Sequence, residues 1–93
     1  MASTAHDSVG REWAAGIWDD GKVNVCTPEG EWYAIDPDQG GAKGGATIEY
    51  SSLNDKLVVT YINGNGELCT YRKSPNAPRS EWSWSSKKGQ IKG

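Results

Sequence analysis

The chain has 93 residues, room for one small domain whose core must be thin or completed by association with other chains. Only 35 % of its residues are hydrophobic and Phe is absent, yet there are five Trp and four Tyr, so apolar burial rests on rings that carry a polar edge. A formal charge of −2 argues against a nucleic-acid partner, whose phosphates select basic faces, and no stretch reaches the roughly twenty apolar residues of a membrane helix.

Residues 1–10 are polar and lack the apolar centre of a secretory signal. They are expected to be a disordered lead-in to a single domain over 11–93, in a protein that is cytoplasmic or secreted without a visible signal peptide. From Gly10 onward, short β-branched and aromatic runs alternate with Gly, Asn, Asp and Pro clusters, which predicts strands joined by tight turns and no helix. The strands fall at Glu12 to Ile17, Lys22 to Thr27, Glu31 to Ile35, Ala46 to Ser51, Lys56 to Ile62, Glu67 to Arg72 and Glu81 to Ser85. Asp19-Asp20-Gly21, Pro28-Glu29-Gly30 and Asn63-Gly64-Asn65-Gly66 supply hairpin turns, because their residues tolerate positive φ. Alternation places Val23 and Val25 opposite Asn24 and Cys26, and Leu68 and Thr70 opposite Cys69 and Tyr71. Leu57-Val58-Val59 is apolar on both sides, the signature of a strand in mid-sheet.

Sliding the sequence by about 45 residues places Gly21 on Gly66, Val23 on Leu68 and Val25 on Thr70. With an insertion in the second copy around Ser74 to Pro78, Trp32 then falls on Trp82. The repeats span about 11–45 and 46–93, and residues 36–45 form a flexible connector; its glycines lack the Lys and Ser/Thr that a phosphate loop requires. This period, with several short strands per copy, is that of a propeller blade, and two blades cannot close a ring alone. The expected fold is all-β: two four-stranded antiparallel blade-like repeats in a homo-oligomer, favoured as a trimer that completes a six-bladed propeller.

Trp13, Ala15 to Trp18, Gly21 to Val25 and Pro28 to Tyr33 in the first copy, and Ala46 to Tyr50, Lys56 to Tyr61 and Asn63 to Thr70 in the second, follow a recurring order. It resembles that of the small two-repeat relatives of fucose-binding β-propeller lectins from fungi and soil bacteria. The resemblance implies a propeller fold and a sugar stacked on an aromatic ring between an Arg and a Glu. Here the Arg position falls on Val59 in the second copy and on no Arg in the first, and the Glu positions fall on Val25 and Thr70. The resemblance therefore carries over only the aromatic part, with Trp32 and Trp82 at the matching positions, and leaves the sugar unspecified.

A sugar's C–H face stacks on an indole while neighbouring carboxylates accept its hydroxyls. Trp18 stands beside Asp19 and Asp20, Trp32 beside Glu31, and Trp82 beside Glu81; with Tyr61 these are the candidate ligand-binding residues. Trp13 and Trp84 are expected to be structural, and core packing is an equally simple reading of any single ring. His6 is the only histidine, so a Ser or Cys nucleophile lacks an obvious base, and the turn carboxylates read as solvated charges. No enzyme activity, cofactor or metal site is expected; Asp36 and Asp38 are too few oxygen ligands for a calcium loop. Cys26 and Cys69 read first as reduced thiols, with one bridge as the alternative. The favoured function is non-catalytic carbohydrate binding. The rival is a small β-barrel or SH3-like interaction module gripping a peptide or protein surface.

Overall fold

The computed structural model describes residues 3–35 and 42–87, which form eight strands in two antiparallel four-stranded sheets. Sheet A runs β1 (Ser3–His6), β2 (Glu12–Ile17), β3 (Val23–Cys26) and β4 (Trp32–Ala34), neighbour to neighbour. Sheet B repeats that meander as β5 (Ala42–Ser51), β6 (Lys56–Asn63), β7 (Leu68–Lys73) and β8 (Ser83–Lys87), with a 3-10 turn at Arg79–Glu81 before β8. Among the described residues no helix is long and apolar enough to cross a membrane.

Three differences from the sequence expectation stand out. Residues 3–6, expected to be disordered, form β1, because the alternation of Ser3 and Ala5 with Thr4 and His6 suits pairing with β2. Part of the expected connector, Ala42 to Gly45, belongs to β5, where a register shift between Lys43 and Thr47 absorbs the glycines; residues 36–41 lie outside the described residues. The last strand begins at Ser83 rather than Glu81, since the Pro78-led 3-10 turn occupies Arg79–Glu81.

Four hairpins share one turn. At Asp7, Trp18, Thr27 and Asn63 the backbone N–H donates to the carbonyl four residues on, and the carbonyl accepts from the glycine three residues on. Those glycines have φ of 82° (Gly10), 80° (Gly21), 89° (Gly30) and 79° (Gly66). This is a type I turn closed by a left-handed residue, for which a side chain would be strained. In three turns the first side chain also caps the loop. Asp7 Oδ1 accepts from the amides of Val9 (3.1 Å) and Arg11 (3.0 Å), Asn63 Oδ1 from Asn65 and Glu67 (both 3.0 Å), and Thr27 Oγ1 from Glu31 (3.2 Å). Trp18 holds the equivalent place without that chemistry, and Asp20 Oδ1 accepts the Lys22 amide at 2.9 Å instead.

The sheets pack face to face around Trp13, Ala15, Val23 and Val25 of sheet A and Ile48, Leu57, Val59, Tyr61, Cys69 and Tyr71 of sheet B. As expected, β6 lies inside its sheet and buries Leu57 and Val59. The packing is not a two-fold one. Val23 and Val25 face the core, whereas their repeat equivalents Leu68 and Thr70 are half-buried on the far side of sheet B; Cys69 and Tyr71 face the core, whereas their equivalents Asn24 and Cys26 lie on the far side of sheet A. The two repeats thus present opposite faces to the shared core.

Lys73 is the unexpected core residue, placed on the inner side of β7 by parity with Tyr71. Its ammonium donates to the carbonyls of Ser74 (2.9 Å), Pro75 (3.4 Å) and Ala77 (3.1 Å), which uses all three protons, and it stands over the rings of Trp13 (5.0 Å to the centroid) and Trp82 (5.4 Å). Burial, helped by the positive charge of Arg11, lowers its pKa below the ordinary lysine value.

Asp7 ties the edge of this core. Its carboxylate takes Trp13 Nε1 at 3.1 Å and Arg11 Nε at 2.9 Å besides the two turn amides. Burial alone would raise its pKa, but hydrogen bonds from the Trp13 indole, the Arg11 and Val9 amides and the Arg11 guanidinium outweigh that, leaving it below 3.8. A depressed folded-state pKa means that the carboxylate stabilises the fold above its unfolded value and that this contribution is lost as pH falls through the lower folded value. Urea midpoints measured between about pH 2 and pH 7 should fall on the acid side, and Asp7→Asn should flatten that limb while lowering stability at neutral pH. An unchanged acid limb would remove Asp7 as its cause.

Candidate functional site

On the outer face of sheet A, cross-strand pairing makes three rows: Ala14, Cys26 and Trp32; then Gly16, Asn24 and Ala34; then Trp18 and Lys22 at the closed end of the hairpin. Trp18 and Trp32 reach across the middle row, their ring centroids 4.9 Å apart and their planes tilted by 45°. Gly16 and Asn24 are buried although they belong to the outer face, which the two rings above them explain; the Asn24 amide donates to Lys22 O at 3.1 Å. The rings themselves remain 44 % and 39 % exposed, against 5 % for Trp13.

Beside this pair opens a groove of about 420 Å³ whose described lining is Ile17, Trp18, Asp19 and Asp20. Among the described residues no cation pairs with Asp19 or Asp20. The site thus joins the exposed Trp18 ring, backed by Trp32, to the carboxylates of the β2–β3 turn.

Comparison with protein-family models, curated proteins and solved structures returned no match.

The other candidate residues are elsewhere. Tyr61 is buried between the sheets, stacked on Tyr71 at 5.7 Å, and its hydroxyl accepts Trp84 Nε1 at 2.8 Å; burial raises its pKa. Trp82 is half-buried, donates from Nε1 to the Tyr33 hydroxyl at 2.9 Å and packs on Lys73. Glu31 is ion-paired with Arg79, whose guanidinium lies 4.5 Å over the Tyr33 ring, and Glu81 is exposed in the 3-10 turn. Of the eight, Trp18, Asp19, Asp20 and Trp32 come together.

One repeat assignment is corrected. Trp32 pairs with Cys26 and Trp84 with Tyr71, the repeat equivalent of Cys26, so Trp32 corresponds to Trp84 and not to Trp82. The second copy's insertion extends to Trp82, a length that sequence spacing left free. Trp13 and Trp84 both face the core.

His6 lies 3.7 Å from Glu12 at the sheet edge, both well exposed. Among the described residues no three His, Cys, Asp or Glu side chains converge as a metal would need, and both cysteines are free. The cross-sheet cluster of Glu31, Tyr33, Arg79 and Trp82 escaped sequence reading, because it joins an outer strand to an irregular turn whose position no periodicity fixes.

A second groove, about 110 Å³, lies on the outer face of sheet B and is lined by Leu68, Thr70, Arg72, Ser85, Ser86 and Lys87. There Arg72 Nη1 donates to Thr70 Oγ1 at 2.8 Å, and the Thr70 and Ser85 hydroxyls share a hydrogen bond of 2.8 Å.

Proposed function

We propose that this protein binds carbohydrate without catalysis, on the platform of Trp18 and Trp32 with Asp19 and Asp20 as hydroxyl acceptors. The carrying observation is the exposed, tilted ring pair at a turn position where its three counterparts carry capping side chains. Indoles cost solubility when exposed, and the Trp18 side chain caps nothing in its turn, so ligand stacking accounts for the exposure that its contact with Trp32 leaves. A glycan array probed with the intact protein is the test: binding to a restricted set of saccharides supports the reading, and silence with intact folding overturns it in favour of a peptide ligand.

The same reading includes assembly. The outer face of sheet B carries the half-buried Val58, Thr60, Ile62, Leu68 and Thr70 with the exposed Glu49, Arg72 and Lys87. The opposite facing of the two repeats supports head-to-tail contact between copies, one that leaves the Trp18–Asp20 turn open to ligand and closes as a ring where the rotation per copy allows. A trimer of two-blade chains would give the six-bladed propeller of the lectin resemblance. Light scattering should report three chains; a monomer at micromolar concentration would remove the ring.

A further inference from the structure

Elsewhere in the protein, aromatic faces are met by the chain's own cations: the buried Lys73 ammonium lies over Trp13 and Trp82, and the exposed Arg79 guanidinium lies over Tyr33. Trp18 and Trp32 form a comparable ring pair on the outside, yet among the described residues no cation of the chain stands over either. In place of one, the adjoining groove offers Asp19 and Asp20, neither ion-paired among those residues, and no basic side chain in its described lining. Indole faces and carboxylates attract the same kind of ligand group, and the charges add where a groove excludes part of the water.

We propose that the ligand of this site carries a cationic nitrogen, and that it is a protonated amino sugar of the glucosamine type. This rests on the carbohydrate reading above and narrows it. The sugar ring's C–H face stacks on Trp18, its ammonium sits against Asp19 or Asp20, which share the groove with that ring, and its hydroxyls use the remaining carboxylate oxygens. Asp20 gives one oxygen to the Lys22 amide, whereas among the described residues no hydrogen bond engages Asp19. A neutral N-acetylated sugar offers the same stacking face without the charge.

Titration calorimetry of the intact protein with glucosamine oligomers and with their N-acetylated counterparts, at about pH 6 and about pH 9, tests this. The expected result is that the free-amine oligomer binds roughly fivefold or more tightly than the acetylated one at the lower pH and loses that advantage at the higher pH, where the sugar amine is neutral. Asp19→Asn should abolish the preference, read as the ratio of the two oligomers' affinities at the lower pH falling to about one, whatever affinity both lose with the hydroxyl acceptor. Equal binding of both oligomers at both pH values overturns the cationic ligand and leaves carbohydrate binding standing. Failure of both, with other saccharides binding on an array, also overturns the amino sugar. Failure of every saccharide, with capture of a lysine-rich peptide, overturns the amino sugar and the carbohydrate reading together.

Discussion

Replacing Trp13 with alanine should cost about 3–5 kcal/mol, a large part of the roughly 5–15 kcal/mol that holds a domain folded. The side chain is buried, donates to Asp7 at 3.1 Å and forms one wall against the Lys73 ammonium. Its loss opens a cavity next to a buried cation in a core with little else to collapse inward. It also removes one of the hydrogen bonds that keep Asp7 ionised. Phenylalanine at this position retains a ring for Lys73 but no donor for Asp7, so it should recover the packing part of the loss and not the hydrogen bond. Chemical denaturation of the three proteins would order them as parent, Phe and Ala. An alanine variant as stable as the parent would show that the two sheets do not depend on this contact.

Trp18→Asn is expected to do the opposite: binding falls roughly tenfold or more, while stability stays within about 1 kcal/mol of the parent. Asn63 shows what asparagine does in this turn, where its side chain accepts from two backbone amides. Those bonds should restore about 1 kcal/mol and offset the lost contact with Trp32, itself about 0.5–1.5 kcal/mol beyond the area it covers. A position where the better turn residue is the worse binder is one shaped by a ligand. Isothermal titration beside thermal unfolding separates the two effects. A variant that binds normally would place the ligand away from Trp18, and one that unfolds would make the ring pair structural.

Much of the fold could be read in the chain because its signals are local. The alternation of Val23 with Asn24 and of Leu68 with Cys69 gave the faces, and Gly21, Gly30 and Gly66 marked three of the turns. The first strand was hidden because Ser3 to His6 carries almost no apolar weight of its own and gains order by pairing with β2. The partition of the tryptophans was harder. Every indole looks alike in a sequence, and whether it packs or projects depends on which row of the sheet it joins. Trp18 could be separated by its acidic turn; Trp82 could not, since a 3-10 turn shifted the register that its neighbours suggested. The buried Lys73 and the Glu31–Arg79 pair depend on contacts between elements far apart in the chain, and nothing local announces them.

The opposite facing of equivalent residues in the two repeats bears on how such a chain fails. A contact of this polarity has no built-in stop, since each added copy recreates the surface that received it, and only the angle of each step decides whether growth ends. In the proposed ring, substitutions at Val58, Ile62 or Leu68 that alter that angle without weakening adhesion would give an open filament in place of a closed assembly. Loss of ring geometry would then register first as turbidity or fibres rather than as lone chains.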